Sequence, residues 1–199
     1  MKKLIALSLF MLALTGFALP PPAAAADGEK WNLPKPAAQG GKPLMEALAQ
    51  RQTNRDFSDK PIPEQILSDL LWATWGINRP DGKHTAPTAR NNREIVVFAA
   101  LENGVWRYEP SDNALTKVLP DDTRSAFGGA PLTLIYAAPE KSEFSGFHVG
   151  SLYQNAGLFC ASAGLANVVK ITGRDALAGK LALPKGYKVF IVHSIGWPR

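Results

Sequence analysis

The chain has 199 residues, with 22 Lys and Arg against 17 Asp and Glu, three His and one Cys. A single cysteine excludes an intrachain disulfide. The basic residues are spread along the chain and are not interleaved with aromatics, which argues against a nucleic-acid-binding surface.

The first 30 residues, MKKLIALSLFMLALTGFALPPPAAAADGEK, pair Lys2 and Lys3 with an apolar run from Leu4 to Leu19. Pro20 to Pro22 close that run, and Ala24-Ala25-Ala26 forms a small-residue cleavage site. This is the pattern of a secretory signal peptide cut after Ala26. The run is shorter than the roughly 20 residues of a membrane span. The expectation is an exported protein, periplasmic or secreted, with no stable membrane span after cleavage. No cysteine near the cut could carry a lipid. Without Lys2 and Lys3 the net charge falls from +5 to +3.

Residues 27–42, rich in Pro, Gly and Ala, read as an extended arm or linker. The remainder, 43–199, reads as one domain large enough to bury a core without staples. PLMEALAQRQTN opens a helix at Pro43, with Leu44, Ala47, Leu48 and Arg51 on one face. In PIPEQILSDLLWATWGINR, the residues Ile66, Leu67, Leu70, Leu71 and Thr74 form a helical apolar stripe, with Gly76 as a stop. EIVVFAALENGVWRYEP predicts two strands joined through Asn103-Gly104, and PSDNALTKVL a short third strand. APLTLIYAAP is a buried strand. FHVGSLYQNAGLFCASAGL is a helix buried on most sides and ended by Gly164. NVVKIT is a short strand or loop, GRDALAGKLAL a short helix and KGYKVFIVHSIG a final strand. The plan is α+β, a mostly antiparallel central sheet packed by helices.

Familiar catalytic signatures are missing. There is no GxGxxG, phosphate-binding loop, HExxH or GxSxG in the sequence, and His84, His148 and His193 share no metal-ligand spacing. Cys160, between Phe159 and Ala161 in an apolar helix, reads as a small buried hydrophobe. His84 reads as an exposed loop histidine, Trp72 and Trp75 as core or interface, and Tyr153 and Asn155 as packing and hydrogen-bonding residues. One stretch stands out: RQTNRDF, residues 51–57. Arg51 and Arg55 share a helical face with Thr53 between them. Two forked guanidiniums and a hydroxyl suit a phosphate or another anion. Two cations favourably placed at a helix C-terminus are the alternative.

The order of Arg-x-Thr-x-Arg-x-Phe, the helix ending LLWATWGINR, APTARNNREIVVF, GSLYQNAGLFCASAGLANVV and the terminal GWP resembles the nitroreductase family of FMN-dependent oxidoreductases. The similarity runs from about residue 44 to 199. It looks closest to the short branch that includes the azoline-oxidising, thiazole- and oxazole-forming dehydrogenases of peptide toxin biosynthesis. The resemblance implies a nitroreductase-like fold and an FMN site that includes Arg51, Gln52, Thr53 and Arg55. Arg51 would hold the flavin phosphate, Thr53 the ribityl or phosphate oxygens, and Arg55 the pyrimidine end of the ring. Pro87, Thr88 and Asn91 match a second family motif, with Asn91 at the ring or ribityl chain. Thr172 and Gly173 would stand near flavin N5. Arg93 and Glu94 replace the family's usual Gln-Pro pair, and Arg199 would take the part of a basic tail found after the Gly-Trp-Pro turn of many relatives.

The family further implies hydride transfer by a ping-pong cycle on a small molecule such as a nitro compound or quinone. NAD(P)H is the usual donor, and homodimers share their flavin sites between subunits. No protein catalytic residue is required, because the cofactor carries the chemistry. The competing expectation is a non-catalytic dimer of the same fold that binds a ligand or partner.

Overall fold

The computed structural model describes residues 28–199; the signal-peptide segment, 1–26, lies outside the described residues. Seven strands form one sheet: β1 (Lys30–Asn32), β2 (Val96–Leu101), β3 (Gly104–Glu109), β4 (Ala114–Leu119), β5 (Leu132–Pro139), β6 (Ala166–Lys170) and β7 (Tyr187–Gly196). Their order is β1-β4-β3-β2-β5-β7-β6, and every pairing is antiparallel. Three helices accompany it: α1 (Leu44–Gln50), α2 (Glu64–Trp75) and α3 (Ser145–Ala163).

Alternation along the strands divides the sheet into two apolar faces. Val97, Ala99, Trp106, Tyr108, Leu134 and Tyr136 point to the side covered by α2 and α3, where they meet Leu67, Leu70, Leu71, Leu152 and Ala156. Phe98, Ala100, Val105, Ile135, Ala137 and Val192 point to the other side. That second face is covered without an α-helix. Phe127, Leu177 and Leu181 close over it, all buried.

The predicted helix in GRDALAGKLAL is therefore a correction. Residues 172–180 are consecutive turns, closed by hydrogen bonds such as Ala176 N–H to Gly173 O and Lys180 N–H to Leu177 O. Gly173 (φ 86°) and Gly179 (φ 74°) take left-handed conformations that interrupt a right-handed helix. The short contour still delivers Leu177 and Leu181 to the sheet.

Other elements differ in detail. The N-terminal arm carries β1, which pairs with β4, and its Leu33 joins the main core. The hairpin turns at Glu102 and Asn103, and Gly104 already opens β3 at φ 124°; a Cβ there would stand 2.3 Å from Leu119 O. Helix α3 buries a single stripe, including His148, Val149, Leu152, Ala156 and Cys160, instead of most of its surface. In α1 only Ala47 is buried. Leu44, Met45 and Leu48 are 63%, 75% and 43% exposed, and Phe147 of α3 is 76% exposed.

If the turn segment is a structural cover, Leu177→Ala should cost about 2–5 kcal/mol, the usual range for a buried Leu truncation. The change in urea midpoint would measure it; a loss under about 0.5 kcal/mol would mean that the second face does not depend on this segment.

Candidate functional site

Helix α1 stops at Gln50 because Arg51 turns extended (φ −60°, ψ 118°), although its N–H still donates to Ala47 O at 2.9 Å. The segment that follows is stitched to the far edge of the sheet. Asn54 N–H donates to Asn167 O of β6 at 2.9 Å, and Ser58 N–H donates to Trp197 O at 2.9 Å. Phe57 forms a β-bridge with Pro198. Asn54 Oδ1 accepts from Asp56 N–H, which tightens the bend between them. Arg199 is brought to the same place: its guanidinium donates to Phe57 O at 3.0 Å and lies 3.6 Å from Asp56.

Extended backbone sends alternate side chains to opposite sides. Gln50, Gln52 and Asn54 line a cavity of about 420 Å³ with Lys42, Cys160 and Asn167. Arg51, Thr53 and Arg55 do not line it. The stem of Arg51 instead converges with Asn167 Oδ1 over Gly157, each 3.8 Å from where a Cβ would be. Arg51, Thr53 and Arg55 are exposed, and among the described residues neither guanidinium makes an ion pair or a side-chain hydrogen bond. The charge of this loop is uncommitted.

Beneath it lies a buried polar chain that sequence reading missed. Asn167 Oδ1 is 3.0 Å from His193 Nε2, and His193 Nδ1 is 3.3 Å from the Tyr136 hydroxyl. With Tyr136 donating to Nδ1, Nε2–H donates to Asn167, and the ring is neutral. Burial pushes the His193 pKa down to about 3. Burial also drives the Cys160 thiol and the Tyr136 phenol upward, so both stay protonated. Nothing in the sequence pairs residues 136, 167 and 193; β5, β6 and β7 do so by register.

The second motif occupies another part of α3. Arg90 (φ 54°) and Asn91 (φ 56°) form a left-handed bend, and Pro87 and Asn91 are exposed. The bend is anchored from below by His148, also unforeseen. Ala89 N–H donates to His148 Nε2 at 2.8 Å, and Nδ1–H then faces Glu94 at 3.1 Å. Glu94, which departs from the family's Gln-Pro pair, thus has a structural partner, and Arg93 donates to Asp81 O at 3.2 Å. His84 is a correction: it is buried, 3.8 Å from the Trp75 ring in a near-parallel stack, with Nδ1 2.7 Å from Trp75 O. Desolvation lowers its pKa. Asn155 donates to Ala73 O and ties α3 to α2.

The predicted residues thus fall into three groups. Arg51, Thr53 and Arg55 share the loop after α1, and Arg199 is held at the end of that loop by Asp56 and Phe57. The Pro87–Asn91 bend is set beside His148 and Ser151, which precede Gly157 by nine and six residues, about 9–14 Å along α3 at a rise of 1.5 Å per residue. Thr172 and Gly173 follow the opposite end of β6 from Ala166. There a Cβ on Gly173 would stand 3.0 Å from Ala126 O and 3.4 Å from the Phe127 ring.

Comparison with known proteins identifies the family. Residues 48–197 match the nitroreductase family, and the chain belongs to it. A Ralstonia eutropha JMP134 protein classed among the nitroreductases is 34% identical, with a TM-score of 0.80 over 92% of this chain and 95% of its own. A chain of the Escherichia coli microcin synthetase McbBCD complex is 20% identical, with a TM-score of 0.65 over 75% of this chain and 70% of its own. A Bacteroides fragilis NCTC 9343 nitroreductase solved with bound FMN is 16% identical, with a TM-score of 0.57 over 79% of this chain and 89% of its own. The α+β fold read from the sequence is the fold of this family.

The buried polar chain has a pH signature. Unfolded His193 takes up a proton below its ordinary value of 6.5, whereas the folded site refuses it down to about 3. Stability therefore falls as pH drops through that window, by up to about 1.4 kcal/mol per pH unit. From pH 7 to 5 the protein should lose about 2 kcal/mol more than His193→Gln in urea unfolding; parallel pH profiles would show that His193 is not neutral in the fold. His148→Ala should cost about 1–3 kcal/mol by leaving the Ala89 N–H and Glu94 without their partner. Amide exchange at Ala89 would then accelerate, and unchanged protection would rule out the anchor.

Proposed function

We propose that the protein is an exported FMN-dependent oxidoreductase that works as a homodimer. Family membership supports the oxidoreductase class, and one observation carries the assignment of the cofactor end. Arg51 and Arg55 present uncommitted guanidiniums with Thr53 between them, on a loop fastened to the sheet by Asn167 and Trp197. These residues fit a phosphate monoester, which asks for fixed cations and a hydroxyl donor.

Bound FMN supplies two-electron hydride transfer. The chain's part is to hold and orient it. Arg51, its stem braced over Gly157, would hold the phosphate, and Thr53 would donate to the phosphate or ribityl oxygens. Arg55 would set positive charge at the pyrimidine end, where it favours the anionic reduced ring. Pro87, Thr88 and Asn91, with the backbone of Thr172 and Gly173, would hold the ring. The family resemblance supports a homodimer that shares each flavin site between its subunits. The exposed Leu44, Met45, Leu48 and Phe147 offer the apolar surface for such a pairing.

The overall reaction conserves electrons in two halves at one pocket. NAD(P)H, or another envelope reductant, gives up a hydride and leaves oxidised; a quinone then takes two electrons and two protons and leaves as hydroquinone. A nitro group would take the same two electrons and two protons to give a nitroso group and water.

A second reading, a non-catalytic dimer that binds a ligand or partner, draws support from Arg199. Its guanidinium is engaged by Asp56 and Phe57 O rather than free for a phosphate.

The visible absorbance of the purified protein, with and without added FMN, separates the two. A flavin spectrum at about one per chain is expected, and a colourless protein that takes up no FMN would overturn the enzyme assignment. Arg51→Ala should weaken FMN retention by about 1.5–3 kcal/mol, the worth of a charge-assisted hydrogen bond. Flavin content unchanged by Arg51→Ala would return Arg51 to the part of a helix-end cation.

A further inference from the structure

A second cavity, of about 210 Å³, opens beside Pro87–Asn91 and is lined by Arg79, Lys83, His84, Pro87, Thr88 and Asn91, with Ala86 at its wall. Its chemistry is unlike that of an apolar substrate slot. Residues 77–93 contain four cations, Arg79, Lys83, Arg90 and Arg93, against one carboxylate, Asp81. That carboxylate is already paired with Lys83 at 2.7 Å, and its pKa is held down by the ammonium.

Arg79 is the free charge. Its Nε donates to Asn78 Oδ1 at 2.9 Å and its Nη2 donates to His84 O at 3.1 Å. These bonds fold the side chain back over the 77–84 hairpin, which is closed by the Ile77–His84 bridge and Asn78 N–H to Lys83 O. A guanidinium has five N–H donors. Two are used to fix its orientation, and the other three have no partner among the described residues. Such a pre-oriented fork loses little freedom on meeting a carboxylate.

The rest of the lining suits an anion attached to a flat ring. His84 Nδ1–H donates to Trp75 O at 2.7 Å, and the imidazole is stacked on Trp75 at 3.8 Å, which makes one wall rigid and planar. Thr88 adds a hydroxyl that no described residue engages. The cavity is small, and Asn91 and Pro87 connect it to the segment assigned above to the flavin ring.

We propose that this cavity selects the acceptor: it holds the carboxylate or sulfonate of a small aromatic nitro compound or quinone, with Arg79 as the principal contact and Lys83 as a second. The inference rests on the flavin assignment of Pro87–Asn91. The anionic group takes no part in the bond changes; it fixes which molecules are held at the ring.

The test uses the full-length purified protein loaded with FMN, and calorimetric titration with 4-nitrobenzoate and with nitrobenzene. The anionic probe should bind at least about tenfold tighter at low salt, and Arg79→Gln should lower that ratio by at least about tenfold, the effect of losing a charge-assisted hydrogen bond. Lys83→Gln should lower it less. Lys180→Gln, exposed on the turn segment that covers the opposite face of the sheet, should leave it unchanged. An equal drop in Lys180→Gln would reduce the effect to net charge and overturn the site. Equal affinity for the two probes in a flavin-loaded protein would overturn anion selection while leaving the flavin assignment intact. Arg79-dependent binding of 4-nitrobenzoate to a protein that holds no FMN would overturn the acceptor assignment together with the flavin one. Displacement of 4-nitrobenzoate by NADPH but not by 4-methylbenzoate would reassign the cavity to the donor's phosphates and overturn it as an acceptor site.

Discussion

The hydrogen bond from Asn54 N–H to Asn167 O is the joint on which the candidate site depends. It ties a loop without secondary structure of its own to the edge strand β6. Asn167 in turn is held by His193, and His193 by Tyr136. A buried polar chain of this kind is costly unless every member is satisfied. Here each is, and the neutral imidazole can give its Nε2 proton to Asn167 only because β5, β7 and β6 stand in this order. The position of Arg51 and Arg55 is thus set in the core of the sheet, some distance from the solvent in which their guanidiniums stand.

What the sequence revealed follows from which forces are local. Val96–Leu101 and Leu132–Pro139 were legible as strands because continuous apolar runs bounded by turn residues leave few alternatives. The stripe Leu67, Leu70, Leu71 and Thr74 marked α2 for the same reason. The 173–183 segment misled because Leu177 and Leu181 are spaced as on a helix, while the left-handed conformations of Gly173 and Gly179 that interrupt one leave no mark on the apolar spacing. His84 looked like a loop histidine because its stack on Trp75 is made across a hairpin, and His148 drew no attention because its partners, Ala89 and Glu94, are more than fifty residues away. The RQTNRDF motif was legible as a cation pair. Its alternation, which turns Gln52 to a different side from Arg51 and Thr53, was hidden because a helix was expected to continue past Gln50.

Helix α3, with α1, leaves large apolar side chains on the surface of the chain. It buries one stripe against the sheet and α2, yet its remaining surface and that of α1 keep Phe147, Leu44, Met45 and Leu48 exposed. A chain with so many fully buried core residues elsewhere has no need of these for its own fold. In the homodimer we propose, a second copy packed on α1 and α3 would cover these apolar side chains.

Charge is then divided by purpose. The loop cations Arg51 and Arg55 are left free of carboxylates, whereas Arg124 is bound by Asp122 at 2.7 Å and Lys30 by Asp112 at 2.7 Å. Exposed ion pairs of the latter kind contribute little to stability, so forming them is no obligation of the fold, and leaving particular guanidiniums unpaired costs little as well. Arg51 and Arg79 both stand on backbone held by hydrogen bonds, one on the loop tied through Asn54 to Asn167 and the other on the 77–84 hairpin. A cation held by rigid backbone and denied an internal partner keeps its full attraction for an external anion. That combination, more than the number of basic residues, distinguishes these two places from the rest of a mildly basic surface.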